Sequence, residues 1–240
     1  MRPSRRGLNH QPGPQPPPSV QLTGATVTYG STPGIAGIDL RVDAGTFLAV
    51  TGASGAGKTT LLWAIAGTVP LTSGTVYVNG HETLDHSTAI SRGVALIPQG
   101  NGLANVLTAH ENIALTLTSL GHGPASTAAR TSQALDLVDL TESSNHLIDE
   151  LSGGQQQRVA VARALATRAL VILADEPTSD LDHLNRDNIL ALLRARASQG
   201  GIVIMATHDP EAAELSSRHV HLEEGRLITA GGRPPGHPQP

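Results

Sequence analysis

Residues 47–60 read FLAVTGASGAGKTT, and this run decides the fold. FLAVT is apolar throughout, as expected of a central strand covered on both faces. TTLLWAIAG, from residue 59, continues as a helix. Between the two, Gly52, Gly57, Lys58 and Thr59 fill the pattern GxxxxGK[ST] in the strand–loop–helix setting that it requires. The glycines permit a tight loop whose N–H groups converge on phosphate oxygens, and the helix start adds its positive dipole end. The expected phosphate-binding set is Gly52, Ser54, Gly55, Ala56, Gly57, Lys58, Thr59 and Thr60. Lys58 would reach the outer phosphates of a nucleotide and the Thr59 hydroxyl would ligate Mg²⁺. Lys58 is also the sole lysine among sixteen basic residues, so a chain that otherwise uses arginine keeps lysine at this one position.

Working outward, strand-like runs near 20–28, 37–43, 46–51, 75–79, 93–97, 169–174, 202–206 and 218–223 alternate with helix-like stretches near 57–67, 107–119, 126–138, 153–167, 183–197 and 209–216. The expected fold class is α/β, a phosphate-loop core with a mostly parallel sheet. The first strands alternate apolar and polar residues and suit an antiparallel β subdomain near the N-terminus. Residues from about 100 to 165 carry helical signals and little strand, an inserted helical subdomain. The ordered domain is expected over 20–230. Residues 1–19 and 231–240, rich in proline and polar residues, are expected to be disordered.

Composition narrows the function. Net charge is −4, so no global basic field invites nucleic acid. The absence of cysteine excludes disulfides and thiolate metal sites and is compatible with a reducing cytosol. No run approaches the ~20 apolar residues that span a bilayer. Arg2, Arg5 and Arg6 are followed by proline, glutamine and glycine instead of an apolar signal core. Any membrane contact is therefore expected through a partner.

Residues 170–176 read LVILADE, a buried strand ending in two acids. Asp175, at the carboxyl end of a central strand beside the loop, can hold Mg²⁺. Glu176, one residue on, points elsewhere and can polarise an attacking water as general base. An isolated DE pair is more often a plain acidic turn. Its coupling to GASGAGKTT gives it chemistry.

Residues 151–158 read LSGGQQQR, a serine–glycine turn opening a helix just upstream of the DE strand. Here the chain resembles the ATP-binding-cassette (ABC) ATPases, whose signature is LSGGQ at this place. The resemblance runs from residue 20 to about 230. It implies ATP and Mg²⁺ as the bound species and ATP hydrolysis as the reaction. Gln99, in IPQGNGL, matches the glutamine beside the metal site. DEPTSDLD (175–182) matches the run that ends in Asp182, and His208, in MATHDP, matches the switch histidine. Tyr29, in VTYG, matches the aromatic that stacks on adenine; of the other aromatics, Tyr77 and Phe47 fall in strands and Trp63 in a helix, positions expected to be core. Ser152, Gly153 and Gly154 begin a helix and form a second anion site, which in this family grips the nucleotide of the other subunit in a head-to-tail homodimer. The chain departs from common usage at Ala53, Ala56 and Thr60, none of which removes a phosphate or metal ligand.

The resemblance also implies a transmembrane permease subunit as partner, contacted through residues 99–112, and a place in the cytoplasm at the inner face of the cytoplasmic membrane. Three kinds of cassette ATPase remain open: the energy-coupling subunit of a transporter, a regulatory ATPase that acts on a membrane protein without moving a solute, and a soluble DNA- or ribosome-associated ATPase. The single cassette and the lack of a basic patch disfavour the last. The flanks of 151–158 and 175–182 look most like the ATPases of lipoprotein-releasing and macrolide- or peptide-export systems. His219 and His221 could share one strand face, but two histidines alone make a poor metal site.

Overall fold

The computed structural model describes residues 17–228. The expected disorder of 1–19 and 231–240 therefore lies outside the described residues except at 17–19, and there Ser19 already opens the first strand, with its N–H donating to Asn79 Oδ1 at 3.0 Å.

Ten strands and seven helices are described, and they build two sheets. The smaller is antiparallel, with strands β1 (Ser19–Tyr29), β2 (Thr32–Asp43), β4 (Ser73–Val78) and β5 (His81–Glu82) in the order β2-β1-β4-β5. β1 alternates buried Val20 and Leu22 with exposed Gln21 and Thr23, and shifts register after Thr23 so that Ala25 and Val27 face inward again. The expectation of an antiparallel N-terminal sheet is met. β2 begins five residues earlier than its apolar pattern suggested, because Thr32–Ala36 pairs with β1 along the sheet edge. Pro33 can sit there because an edge strand does not need every N–H.

The larger sheet has β3 (Phe47–Thr51), β6 (Val94–Ile97), β7 (Val171–Asp175), β8 (Ile202–Ala206), β9 (Arg218–Glu223) and β10 (Arg226–Ile228) in the order β10-β9-β3-β8-β7-β6. All neighbours are parallel except β10 against β9. β7 and β8 are buried at every position, which explains their uninterrupted apolar sequence. β8 separates the loop strand β3 from the acid strand β7, with Ala174 opposite Met205 and Val50 opposite Ala206.

Alternate side chains of this sheet feed two apolar layers. Leu48, Val50, Leu173 and Ile204 join the antiparallel sheet and helix α1 (Lys58–Ile65), which contributes Leu61, Leu62 and Ile65. Phe47, Ile172, Val203 and Met205 face the other layer, with α5 (Gly153–Ala166) and α6 (His183–Ser198). Each fully buried leucine or isoleucine in these layers stabilises the fold by ~1.5–3 kcal/mol.

Helices α3 (Ala109–Ser119) and α4 (Pro124–Leu137), a 3-10 turn at Ile148–Glu150 and α5 occupy the stretch between β6 and β7. Their starts are locally encoded. Thr108 and Glu111 form a capping box on α3, and Pro124 sits at the first turn of α4 after Gly123. A short helix α2 (His86–Ser91), capped by Asp85, was not anticipated; it buries only Ala89 of its six residues. The last helix, α7 (Pro210–Glu214), is also brief. Phe47 is core as expected, but Tyr77 and Trp63 are not: each keeps more than a third of its surface exposed.

Candidate nucleotide-binding and hydrolysis site

The loop between β3 and α1 is built by glycine for two separate reasons. Gly52, Gly55 and Gly57 have φ of 148°, 80° and 103°, in the region that side chains strongly disfavour. Space is also lacking: a Cβ on Gly52 would lie 2.3 Å from the Leu222 carbonyl oxygen, and one on Gly57 2.2 Å from that of Gly34. The loop is thus pressed onto β2 and β9 from below and opens on its other side. α1 follows with no side-chain cap and no acidic residue in its first turn, so its leading N–H groups and positive end remain available for an anion.

Lys58 is 9% exposed. Its Nζ donates to the carbonyls of Gly52 at 2.8 Å and Ala53 at 3.1 Å, bending the ammonium back across the loop. At the neighbouring strand end, Asp175 is 1% exposed and its Oδ2 has no hydrogen-bond partner. Burial raises the Asp175 carboxyl above the ordinary aspartate range; the Thr59 hydroxyl acts in the opposite sense, Glu176 adds to the rise, and Lys58 offsets part of it. An orphaned buried carboxylate oxygen beside a threonine hydroxyl is a hard-oxygen donor pair that fits Mg²⁺. Among the described residues no cluster of three or more His, Cys, Asp or Glu could hold a metal by itself. Magnesium commonly takes one or two carboxylates and completes its shell with water and phosphate, so the sparse donor set agrees with the ion. Among the described residues His219 and His221 gain no third His, Cys, Asp or Glu, and His221 Nδ1 lies 3.0 Å from Thr51 Oγ1.

Glu176 leaves β7 with φ of 50°, and its N–H donates to the Ala206 carbonyl at 3.0 Å. This left-handed turn aims its side chain away from Asp175 and toward His208, whose Nδ1 lies 2.8 Å from Glu176 Oε1. The carboxylate is 12% exposed and the imidazole 71%, so a shielded acid is paired with a ring facing the open side. Such a pair can hold a water, accept its proton and contact an anion.

A cleft of about 710 Å³ gathers these groups. Tyr29, Ser54, Gly55, Gly57, Lys58, Thr59, Thr60, Gln99, Asp175, Glu176 and His208 line it, which brings together most of the residues that the sequence singled out. Tyr29 closes the end of β1, half-exposed, with its ring over Gly34. Ala56 is absent from the cleft lining: its N–H donates to Ala53, its carbonyl accepts from Gly225, and its methyl group is buried against Gly52, so its side chain supports the loop from beneath. Gly52 lines the neighbouring cleft beside His219.

Ser152, Gly153, Gly154 and Asp182 do not line this cleft. Ser152 caps α5, accepting from the Gln155 N–H at 3.3 Å while Gln155 Oε1 accepts from the Ser152 N–H at 2.9 Å; Ser152 and Gly153 are exposed, Gly154 and Gln155 half-buried, and the first turn carries no acid. Asp182 caps α6 through the Asn185 N–H at 2.9 Å. The α5 start packs on the turn that precedes α6, with Gly154 so close that a Cβ would sit 3.1 Å from the Asp180 carbonyl. Thr32, Pro33 and Gly34 line the cleft without a local sequence signal, and Ser179 lines it from within the run 175–182.

Comparison with known proteins follows the same geometry. Residues 35–179 match the family model described as ABC transporter. Among curated relatives, the macrolide export ATP-binding/permease protein MacB of Azoarcus sp. (strain BH72) is 35% identical over 231 residues, covering 92% of this chain and 35% of its own length. The methionine import ATP-binding protein MetN of Mesorhizobium japonicum is 37% identical over 218 residues, covering 88% of this chain and 60% of its own length. The chain thus spans between a third and three fifths of these two proteins. Among solved structures, the dimeric post-hydrolysis state of the ATP-binding cassette MJ0796, bound to ADP and Pi, superposes with a TM-score of 0.80 at 32% identity, over 87% of this chain and 96% of that one.

Proposed function

We propose, on the premise that this chain belongs to the ABC transporter family and is one of its ATPases, that it is the energy-coupling subunit of a membrane transporter. The observation that carries the reading is the Glu176–His208 pair beside Asp175 and Lys58 in one cleft. In this reading Tyr29 stacks on adenine, and the loop N–H groups with Lys58 hold the phosphates. Thr59, Asp175 and Gln99 hold Mg²⁺, which when bound offsets the charge of the phosphate oxygens. Glu176 accepts a proton from the attacking water, and His208 orients Glu176 through their hydrogen bond. Ser152, Gly153 and Gly154 meet the phosphates of a second copy, which accounts for an acid-free helix start, exposed at Ser152 and Gly153, outside the chain's own cleft.

Among the described residues no helix is long and apolar enough to cross a membrane; in this reading the spans belong to a permease. Beside the contact expected at 99–112, and lined by none of those residues, a groove of about 500 Å³ bounded by α2, β6, α3 and α5, with Ile90, Pro98, Thr116 and Leu120 on its walls, suits a helix of that partner. In this reading the protein works at the cytoplasmic face of the membrane. Export is the direction we favour, on the flanks of residues 151–158 and 175–182; the relatives include both an exporter and an importer.

Glu176→Gln tests the reading in one protein. ATP affinity should stay within about threefold of wild type while turnover falls by about 10²–10⁴, and an ATP-dependent dimer should persist in size-exclusion chromatography. Near-normal turnover would assign the base elsewhere. For the partner, the tagged chain co-expressed with its genomic neighbours should co-purify from detergent with a permease. Stable capture of DNA or ribosomes instead would overturn the transporter reading.

A further inference from the structure

The segment that carries His208 is anchored where it leaves β8, since Thr207 is buried and its N–H donates to the Val50 carbonyl at 3.1 Å, but beyond that point it has little of its own to hold it. It consists of Thr207–Asp209 and the five-residue helix α7, which is too short to be stable by itself and buries Ala212 alone among its residues. Asp209 caps α7 through the Glu211 N–H at 2.9 Å, a bond internal to the segment. An outside tie comes from α6. Arg186, four residues after the Asp182 cap and with its side chain 17% exposed, reaches Asp209 Oδ2 at 3.3 Å and Glu211 Oε2 at 2.8 Å through Nη1, while its Nε meets Asp187 at 3.2 Å. The base of α6 is firm, since Ile189, Leu190, Leu193 and Ala197 are buried. Three carboxylates stand around one guanidinium, so without it Asp209 and Glu211 would repel each other at the start of α7.

These contacts close a ring. Glu176 leads through the turn 177–181 to Asp182. The Arg186 N–H donates to the Asp182 carbonyl at 2.9 Å, the Arg186 side chain holds Asp209, and the adjacent His208 returns to Glu176. As a stabilising feature, pairs with the exposed Asp187 and Glu211 are worth little. As a geometric one, the tie fixes a 71% exposed imidazole that otherwise rests on one hydrogen bond.

We propose that Arg186 is a positioning residue for hydrolysis: it fastens Asp209 and α7 to α6 and thereby keeps His208 against Glu176. This rests on the role given to His208 above. Arg186→Met keeps the stem and the helix propensity and removes the charge. In single-turnover ATP hydrolysis by the full chain it should slow the rate about tenfold, since misplacement on the ångström scale costs up to ~10²-fold, with the KM for ATP within about twofold. Arg186→Lys should recover at least about a third of the rate. The decisive measurement is the cycle with His208→Ala, in which Arg186→Met should change the rate less than about twofold because its route of action is already gone. A wild-type rate in Arg186→Met, or a tenfold loss that persists with His208→Ala, overturns the proposal and leaves the His208 reading intact. A wild-type rate in His208→Ala overturns that reading, and the proposal with it.

Discussion

Gly34→Ala tests the architecture beneath the nucleotide cleft. Gly34 has no left-handed φ, so the backbone tolerates alanine there, and the obstacle is spatial. A Cβ would lie 2.8 Å from Tyr29 Cε2, 2.9 Å from Thr60 Cγ2 and 3.0 Å from Thr60 Oγ1. Restoring ordinary contact needs a shift of about 0.5 Å or more on each side, and the two neighbours differ in their freedom. Thr60 is buried in the first turn of α1 and β-branched, so it cannot swing away; β2 must move, at a cost of about 2 kcal/mol, typical of overpacking. In a domain of this size that lowers the melting temperature by about 4–8 °C. Tyr29 is 48% exposed and free to rotate outward. If its ring supports adenine, the lost stacking of ~0.5–1.5 kcal/mol weakens ATP about two- to tenfold. Thermal melts and titration with a fluorescent ATP analogue read the two effects separately. In a Tyr29→Ala background the affinity loss should vanish while the loss of melting temperature remains. Unchanged melting together with unchanged affinity in Gly34→Ala would refute the reasoning.

Tyr29→Phe should bind ATP as wild type does, because stacking needs the ring and not the hydroxyl; a loss equal to that of Tyr29→Ala would show the hydroxyl to be the contact. Asp175→Asn should stabilise the nucleotide-free protein at pH 8 by about 1 kcal/mol, since a buried carboxylate with one unpartnered oxygen is costly when charged. Its carboxyl titrates above the ordinary value, so the wild-type penalty is present above that raised value and is relieved as pH falls through it. The advantage of asparagine should therefore shrink toward pH 4, and melts in EDTA showing the same offset at both pH values would contradict this. Ser152→Asp keeps a good cap on α5 but sets a carboxylate where a second copy's phosphate would enter. Melting should stay within about 2 °C and the ATP-induced dimer should be lost by light scattering; a normal dimer would remove Ser152 from the interface.

The parts legible in the sequence are those whose requirements are local. The loop declares itself because its glycines answer to backbone conformation, and the acid strand because a fully covered strand is apolar until it ends in Asp175 and Glu176. The parts that escaped depend on distant neighbours. Gly34 is needed because Thr60 and Tyr29 converge on it, and nothing in TPGIA indicates that. α2 escaped because a six-residue helix burying one alanine leaves no periodic stripe, and β10 because three residues pair with β9 alone. Trp63 and Tyr77 are expected in the core because they are aromatic and fall in a helix and a strand. Both lie on elements with a solvent-facing side, and each occupies that side. Ala56 shows that a side chain inside a binding motif can also hold the motif up.

Lys58 carries a consequence for chemical labelling. As the sole lysine of the sequence, it gives amine-directed acylating reagents a single side-chain target, to be distinguished only from the chain's α-amine. Its nitrogen is shielded and engaged by the Gly52 and Ala53 carbonyls, so acylation must wait for the side chain to unfold from the loop. The rate of adduct formation, followed by intact mass, thus becomes a clock for the opening of that loop, and an ATP-dependent change in the rate would report occupancy without any engineered probe.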